Sequence, residues 1–424
     1  MKSPVNLPKR DLDQFEEVQA LTPGEKTDAV FVVGPPKELA EYNGDFRITR
    51  YSIDGRGTSA DFERDYNFSL PESLFFALSC NHQKGHLFIT GILVTDELEF
   101  LPAASRLKDN GDPDTTFGNG GMIYFRPALA ALEQRRDTAL LTSLRKSRRD
   151  LYKTMQAMRP LQTSACLADG GYLIFLGDLG LAMRLNINGQ LDESFGTGGY
   201  FIPEGFELQV GALQDDGFIL AGIDLHEPSQ AIVARYDQNG RLDKGFGPDG
   251  NGRVRLDLGA ADRVTLRGIA QNRLTMTIVG HTLTGAASTA FICRLKTNGG
   301  QDPTFNHGKP VFITPPERNA TLGQIALTKD ERICCLGHST IGDIYDPYYL
   351  CVMLRSDGSP DLTFSNTGWL MDGKDTSASA MFLDGLAWHI GGTQRVPGIQ
   401  GTIGMLTGYL LAAPEITAGG LLRP

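Results

Sequence analysis

Histidine and acidic residues recur at one kind of place in this sequence, after short apolar segments that end in glycine. Three of them follow the glycine directly (Asp178, His281 and His338), and two lie further along (His226 and Asp343), accompanied by Tyr345. Imidazole and carboxylate groups serve as metal ligands and as general acids and bases. The six residues are therefore the candidate binding residues. Two interpretations stay open, a functional cluster or a solvated polar rim.

These residues do not form a complete catalytic or metal motif. No close metal-ligand spacing connects them, and the sequence contains no GxSxG, HExxH or phosphate-binding glycine loop. We therefore predict no catalytic residue, no metal and no cofactor. An enzyme stays an alternative, because His281 and His338 come from different parts of the chain and sequence alone cannot tell how far apart they lie.

The elements that would position these residues belong to a repeat. One motif reads RLKDNGDPDTTFGNGG from Arg106, RLNINGQLDESFGTGG from Arg184, RYDQNGRLDKGFGPDG from Arg235 and RLKTNGGQDPTFNHGK from Arg294. A fifth form begins at Met353, and a degenerate first form begins at Arg50. Asn/Asp-Gly permits the positive φ of a tight turn between strands. We interpret the recurring Arg, Asp and Phe as residues that build the repeat, since catalytic residues rarely recur around an array.

Each motif is preceded by two apolar strands that close on glycine, as in VGALQDDGFILAG (210–222). The closing glycines number seven, namely Gly34, Gly91, Gly177, Gly222, Gly280, Gly337 and Gly391. A further strand follows each Phe-Gly string, which makes four short strands per unit of about 50–60 residues. We therefore predict an all-β fold. It is a seven-bladed β-propeller of four-stranded antiparallel blades, formed as a single domain over residues 1–424.

The two ends of the chain explain why one motif has fewer copies than the other. The last unit lacks its outer strand, and the N-terminal segment Asp11–Phe15 echoes the Leu-Asp-x-Ser/Thr-Phe string. We predict that this segment completes the last blade and closes the ring, which removes an unpaired sheet edge. A disordered leader is the alternative.

The Asn/Asp-Gly and Leu-Asp-x-Ser/Thr-Phe-Gly strings resemble the delta-60 repeat family of bacterial β-propellers. The resemblance extends over nearly all of residues 16–410, and it implies a fold without implying an activity. The first unit departs by one extra residue, and the sixth has Met353 where the others have Arg.

One segment interrupts the repeat. Between Gly111 and Gly189 the turn glycines are 78 residues apart, and the extra residues are Arg126–Pro160. Leucine and methionine recur there at three- and four-residue steps, which predicts an α-helical insertion. Nine Lys/Arg face three Asp/Glu in it. A helical cap, a protein-docking helix and a membrane or nucleic-acid contact are the open interpretations. The candidate docking residues are Arg135, Arg136, Arg145, Lys146, Arg148 and Arg149.

Composition and charge restrict the classes of function that the protein can have. The 424 residues carry a net charge of −10, which disfavours a specific nucleic-acid partner. No run of about 18 apolar residues occurs, and the first residues contain no apolar signal core, so a cytoplasmic location is expected, with signal-less secretion left open. We predict a non-catalytic scaffold that binds another macromolecule, in the first place a protein, through its variable loops and the insertion. The alternatives are a hydrolase- or lyase-type enzyme with a site at the ring mouth and a lectin-like, carbohydrate-binding module.

Overall fold

The computed structural model of the protein describes residues 5–7, 9–24, 29–36, 46–52, 60–68, 73–95, 99–126, 162–214, 217–341, 345–395 and 402–411. Within these ranges the regular secondary structure is β-strand, apart from two 3₁₀ turns at Gly177–Leu179 and Asn306–Gly308. No helix long and apolar enough to cross a membrane occurs in the part of the chain that is described.

The strands form seven antiparallel sheets, each a blade whose strands we letter a to d from the centre outwards. Two short strands precede the first blade, β1 (Val5–Asn6) and β2 (Arg10–Leu12). Blade 1 contains β3 (Ala20–Pro23), β4 (Ala29–Gly34), β5 (Phe46–Ser52) and β6 (Ala60–Tyr66). Blade 2 contains β7 (Leu74–Gln83), β8 (His86–Val94), β9 (Phe100–Lys108) and β10 (Met122–Tyr124). Blade 3 contains β11 (Gln162–Cys166), β12 (Tyr172–Leu176), β13 (Leu181–Leu185) and β14 (Tyr200–Phe201).

The second half of the ring repeats this order. Blade 4 contains β15 (Phe206–Gln214), β16 (Gly217–Asp224), β17 (Ala231–Asp237) and β18 (Arg253–Leu256). Blade 5 contains β19 (Arg263–Gln271), β20 (Thr275–Thr284), β21 (Ala287–Lys296) and β22 (Val311–Ile313). Blade 6 contains β23 (Asn319–Leu327), β24 (Ile333–Ile341), β25 (Tyr345–Leu354) and β26 (Trp369–Asp372). Blade 7 contains β27 (Thr376–Asp384), β28 (Ala387–Gln394) and β29 (Ile403–Leu410).

The blades close into a ring. Each strand a contacts strand a of the next blade, and strand a of blade 7 contacts strand a of blade 1. The core lies in the seams, where apolar faces of neighbouring sheets meet. In the seam between blades 5 and 6, for example, Val279, Ile292 and Phe305 pack against Leu322 and Leu350. The predicted seven-bladed, four-stranded architecture is confirmed.

The N-terminal segment supplies the outer strand of blade 7. Arg10–Leu12 pairs antiparallel with β29, placing Arg10 opposite Leu406, and β1 continues the pairing with Val5 opposite Leu410. Phe15 is fully buried, and its carbonyl oxygen accepts a 2.9 Å hydrogen bond from the Gly404 N–H. The two ends of the described chain thus meet in one sheet, as the strand count predicts.

A glycine in strand b marks the closest approach to strand a. A Cβ on Gly337 would lie 1.8 Å from the Thr321 carbonyl oxygen, which no side chain can tolerate. In blade 7 the equivalent residue is Gly392, whose Cβ would lie 2.0 Å from the Ser377 carbonyl oxygen. The closing glycine of that blade is therefore Gly392, and the prediction of Gly391 is wrong by one residue.

The predicted α-helical insertion is also wrong as part of the fold, because the described residues contain no α-helix. Arg126 ends the described part of blade 2, and residues 127–161 lie outside the described residues. Apolar spacing is weak evidence for a helix by itself, since most helical stability comes from packing the apolar face against a partner. The architecture is corrected to an all-β propeller.

Candidate functional site

The ring has two faces of different construction. The turns between strands a and b and between strands c and d lie on one face, which we call the turn face. The loops between strands b and c and the connections from strand d to the next blade lie on the other, which we call the loop face. The described chain leaves strand d of blade 2 at Arg126 and enters strand a of blade 3 at Gln162, both on the loop face.

The Arg, Asp and Phe of the repeat form one structural unit on the turn face. Arg106 and Arg294 each place Nε 2.7 Å from a carboxylate oxygen, of Asp114 and Asp302 respectively. The guanidinium of Arg294 lies 4.9 Å from the centroid of Phe305, which is buried in the seam with blade 6. These contacts confirm that the recurring Arg, Asp and Phe build the blades.

The repeat arginine also reaches the following blade. Arg235 places Nε 2.7 Å from an Asp243 carboxylate oxygen, and its Nη1 donates a 3.0 Å hydrogen bond to the Thr297 carbonyl oxygen of blade 5. The guanidinium therefore joins the carboxylate of its own blade to the turn of the next one.

Two of the three histidines of the candidate cluster, His281 and His338, lie in strands and not in loops. His281 is opposite Thr265 in blade 5, and His338 is opposite Thr321 in blade 6. They hold the same register position, one residue after the strand-b glycine. The sequence therefore predicts their equivalence correctly, while their environments differ.

His338 joins blade 6 to blade 7. Its Nε2 accepts a 3.1 Å hydrogen bond from the Ala378 N–H and lies 3.0 Å from the Ser377 hydroxyl. Because an N–H can only donate, Nε2 must be the unprotonated nitrogen of this imidazole.

At two other seams, a glutamine side chain accepts the equivalent hydrogen bond from a backbone N–H of the next blade. The Gln19 side-chain oxygen accepts from the Ala77 N–H at 2.9 Å, and the Gln209 side-chain oxygen accepts from the Leu266 N–H at 2.6 Å. Like Ala378, Ala77 and Leu266 stand immediately before a bulge in strand a. His338 thus replaces a glutamine as the acceptor across a seam.

His281 has no such bond at one nitrogen. Its Nδ1 is buried and has no hydrogen-bond partner among the described residues. Burial, together with the Arg267 guanidinium nearby, lowers the pKa of His281 to about 4. The imidazole is therefore neutral at pH 7.

The other candidates are more scattered. His226 is exposed on the loop after strand b of blade 4, and its backbone N–H donates to Asp224 Oδ1 at 2.9 Å. Asp178 lies in the 3₁₀ turn Gly177–Leu179 and Tyr345 begins β25, while Asp343 and the six candidate cations of the insertion lie outside the described residues. Among the residues that the structure describes, no three His, Cys, Asp or Glu side chains come close enough to hold a metal ion.

Sequence reasoning missed a polar centre that shapes the loop face. The Asp224 carboxylate is buried and lies 2.9 Å from Arg255 Nη2 on strand d of the same blade. The Asp224 N–H also donates to the Gln230 carbonyl oxygen at 3.0 Å, so both ends of the intervening loop are fixed. An acidic residue at the end of a buried strand b, followed two residues later by His226, was the available signal.

Two clefts on the turn face are formed by described residues. The larger, about 620 Å³, lies between blades 5 and 6 beside Phe312 and Asp357. The smaller, about 410 Å³, lies between blades 3 and 4 and is lined by polar side chains from three blades, Asp169, Arg184, Gln214, Gln238 and Gln271. Hydrogen bonds from the Gly171 N–H and from Arg184 hold the pKa of Asp169 below its usual range, so this carboxyl is ionised.

The fold places the chain among closed seven-bladed β-propellers. It matches no protein-family model and no curated protein sequence. It is similar to the solved structure of Drosophila Semaphorin 2a, with a TM-score of 0.51, 9% identity, and coverage of 97% of this chain and 76% of that one. At this identity the likeness shows the fold alone.

Two further solved structures are similar to this chain at lower TM-scores. The WD40 domain of SCAP from fission yeast has a TM-score of 0.37 and 8% identity, covering 96% of this chain and 95% of that one. The periplasmic gluconolactonase of Pseudomonas aeruginosa has a TM-score of 0.37 and 11% identity, covering 93% and 85%.

Proposed function

We propose that this chain is a non-catalytic scaffold that binds another protein through its loop face. The repeated Arg, Asp and Phe units support grouping it with the delta-60 repeat propellers, in which the ring is a rigid frame. Variable loops on a rigid frame are the usual carriers of recognition. In this proposal the turn face holds the ring together, because it repeats one set of seam contacts. The loop face serves recognition, because it differs from blade to blade.

The observation that carries the proposal is a pair of apolar side chains held outward on the loop face. Leu225 is 50% exposed and follows Asp224, whose ion pair and backbone bonds fix the loop. Ile341 is 52% exposed at the end of strand b in blade 6. In the same blade, Arg318 donates to the Ser339 hydroxyl at 3.2 Å, and its guanidinium lies 4.7 Å from the Tyr348 ring centroid.

Such preorganised apolar residues are suited to protein recognition. A rigid side chain loses little conformational entropy on binding, so more of the free energy from burying it contributes to affinity. Arg255 and Glu227, which lie 3.4 Å apart and are both exposed, supply polar groups at the rim of the same surface.

The test begins with cross-linking and affinity capture from the source cells to identify a protein partner, whose affinity is then measured with purified components. We expect the double variant Leu225→Asp/Ile341→Asp to weaken the complex by about tenfold or more, since a buried charge would replace an apolar contact. The matched control is Leu274→Asp/Leu386→Asp, which changes exposed leucines on the turn face and should leave affinity unchanged.

A second experiment tests the basic segment of residues 127–161. Reversing the charge of Arg135, Arg136, Arg145, Lys146, Arg148 and Arg149 should slow association in a salt-dependent way if these residues contribute to docking. Loss of binding in the turn-face control alone, or full binding by the loop-face variant, would contradict the proposal.

A further inference from the structure

The outer strand of blade 7 is attached unevenly along its length. Residues 5–7 and 9–12, which we call the closing strand, pair with β29. At one end Leu12 is buried in the seam between blades 7 and 1, next to the buried Phe15. At the other end Val5 and Asn6 are exposed. Segments with little buried surface open more readily than the core, so the exposed end is the weaker part of the ring closure.

His389 lies beside the weaker part of the closing strand. It is opposite Phe382 on strand a and Gly408 on strand c, and its ring stacks on Phe382 with centroids 4.5 Å apart. The Leu7 N–H donates to the Gly408 carbonyl oxygen at 2.8 Å. The Leu7 side chain fills the space that a side chain on Gly408 would take, since a Cβ there would lie 3.1 Å from Leu7 Cδ1. The closing strand therefore contributes to the burial of this imidazole.

The buried imidazole has no group that would stabilise a positive charge. His389 is 7% exposed, and its Nε2 is buried without a hydrogen-bond partner among the described residues. Burial lowers the pKa of His389 to about 4, and the positive charge of Arg10, which belongs to the closing strand, contributes to this shift. The closed ring therefore favours the neutral imidazole.

The ionisable groups on the elements packed around His389 are Arg10 and Asp11 of the closing strand, Asp384 and Tyr409 of blade 7, and Tyr51 and Glu63 of blade 1. Asp11 and Tyr409 lie on the opposite face of the sheet, toward blade 6. Burial raises the pKa of Tyr51 to about 12, so this phenol is neutral, and Glu63 pairs with Arg47 at 2.9 Å. In the described part of the chain, no carboxylate forms an ion pair with His389.

We propose that the ring closure is an acid-sensitive clasp, in which protonation of His389 releases the closing strand from β29 while the other blades stay folded. The imidazolium and the Arg10 guanidinium then repel each other across the pairing, and separation of the strand lets water reach the imidazolium. This inference does not depend on the proposed protein-binding surface of the loop face.

The size of the effect follows from proton linkage. Above pH 6.5 the imidazole is neutral in the closed and the open form, so closure has its full strength. As the pH falls from 6.5 to 4, the open form binds a proton that the closed form does not. The ratio of open to closed protein should therefore rise by about 100-fold between pH 7 and pH 4.

The experiment measures how fast a thiol at position 12 is labelled in the full chain carrying Leu12→Cys. Leu12 is 3% exposed, so a thiol there reacts only when the closing strand has left. Dithiodipyridine, which reacts with thiols in acid, is the reagent, and peptide mass spectrometry assigns each labelled site. Rates are divided by those of an unstructured peptide with the same local sequence at the same pH. The buried Cys293 of blade 5 reports unfolding of the rest of the ring.

We expect labelling at position 12 to become about 100-fold faster from pH 7 to pH 4 while Cys293 stays protected. In the His389→Leu background this acceleration should fall by about tenfold or more, because the group that binds the proton is gone. The matched control is His281→Leu, which removes an imidazole whose pKa is also lowered to about 4 but which lies in blade 5, and it should leave the acceleration unchanged.

Arg10→Gln keeps the test valid if His389→Leu folds poorly. Without the neighbouring charge the closed form accepts the proton more readily, so the acceleration between pH 7 and pH 4 should shrink. The proposal is overturned if position 12 and Cys293 become accessible together, if position 12 shows no acceleration, if the acceleration persists in both His389→Leu and Arg10→Gln, or if His281→Leu abolishes it as well.

Discussion

Blade 5 takes the cation for its buried carboxylate from strand c, whereas blade 6 takes it from the turn between strands a and b. In blade 5, Arg294 lies 2.7 Å from Asp302. In blade 6, Met353 occupies the position of that arginine, and Arg332 places Nη1 3.4 Å from Asp361. Asp302 and Asp361 have side chains only 5% and 3% exposed. The blade needs a cation beside this aspartate, and two positions in the chain can supply it.

The same two blades also differ at the histidine position. His338 of blade 6 accepts a hydrogen bond from the Ala378 N–H across the seam, while His281 of blade 5 has a buried nitrogen with no partner among the described residues. Blade 6 has Gly323 in the strand-a bulge where blade 4 has Gln209, so the acceptor comes from strand b instead. Equivalent sequence positions therefore do not imply equivalent roles, and a His pair is weak evidence for a shared site.

The largest expected effect comes from removing Arg332, the cation that replaces the strand-c arginine in blade 6. Arg332→Met removes the cation that lies beside the buried Asp361 side chain, which should lower the free energy of unfolding by about 3–5 kcal/mol. Chemical denaturation of the purified protein measures the loss.

Moving the arginine from position 332 to position 353 tests this prediction further. The double variant Arg332→Met/Met353→Arg rebuilds the blade 5 arrangement in blade 6, and it should recover most of the lost stability. If the double variant is as unstable as the sum of the two single variants, the equivalence of the two blades is wrong.

The next effect is a dependence of stability on pH from two buried imidazoles. Burial lowers the pKa of His281 to about 4, with Arg267 adding to it, and burial lowers that of His389 to about 4, with Arg10 adding to it. The unfolded chain takes up protons near pH 6.5 and the native chain only near pH 4. Stability from each group is therefore complete above pH 6.5 and is lost as the pH falls toward 4, by about 3 kcal/mol.

Comparing unfolding curves of the wild type and His281→Leu across this pH range checks the contribution of His281. The loss between pH 6.5 and 4 should be smaller in the variant by about that amount, and His389→Leu should give a similar reduction. Parallel pH profiles for wild type and both variants would refute the buried, neutral state of these imidazoles.

The smallest effect separates the two equivalent histidines at neutral pH. His338→Leu leaves the Ala378 N–H without an acceptor and should cost about 1–3 kcal/mol of unfolding free energy. His281→Leu removes a buried nitrogen that has no hydrogen-bond partner in the described part of the chain, so it should be neutral or slightly stabilising at pH 7. Urea denaturation of the two variants measures both effects. Equal losses of stability in the two variants would contradict the different roles of His338 and His281.

The repeat made the ring predictable, because Asp and Phe recur at fixed distances within each motif and the local turn sets their contacts. The contacts that the sequence did not reveal join residues far apart in the chain. Arg332 and Asp361 are 29 residues apart, and His338 and Ala378 are 40 apart. The cleft near Arg184 draws its polar lining from three blades, so no local motif marks it.

The pairing of the two chain ends is the central claim, and an engineered disulfide tests it most directly. Val5 and Leu410 are directly opposite each other in antiparallel strands and are 63% and 44% exposed, so cysteines there satisfy the distance that a disulfide requires. Burial raises the pKa of the native thiols, to about 12 for Cys293, which keeps them unreactive. Mass spectrometry of oxidised Val5→Cys/Leu410→Cys should show one intramolecular bond between these positions, and Val5→Cys/Leu274→Cys should show none. Failure of the first pair to bridge in the folded protein, or equal bridging of the second, would contradict ring closure by the N-terminal strand.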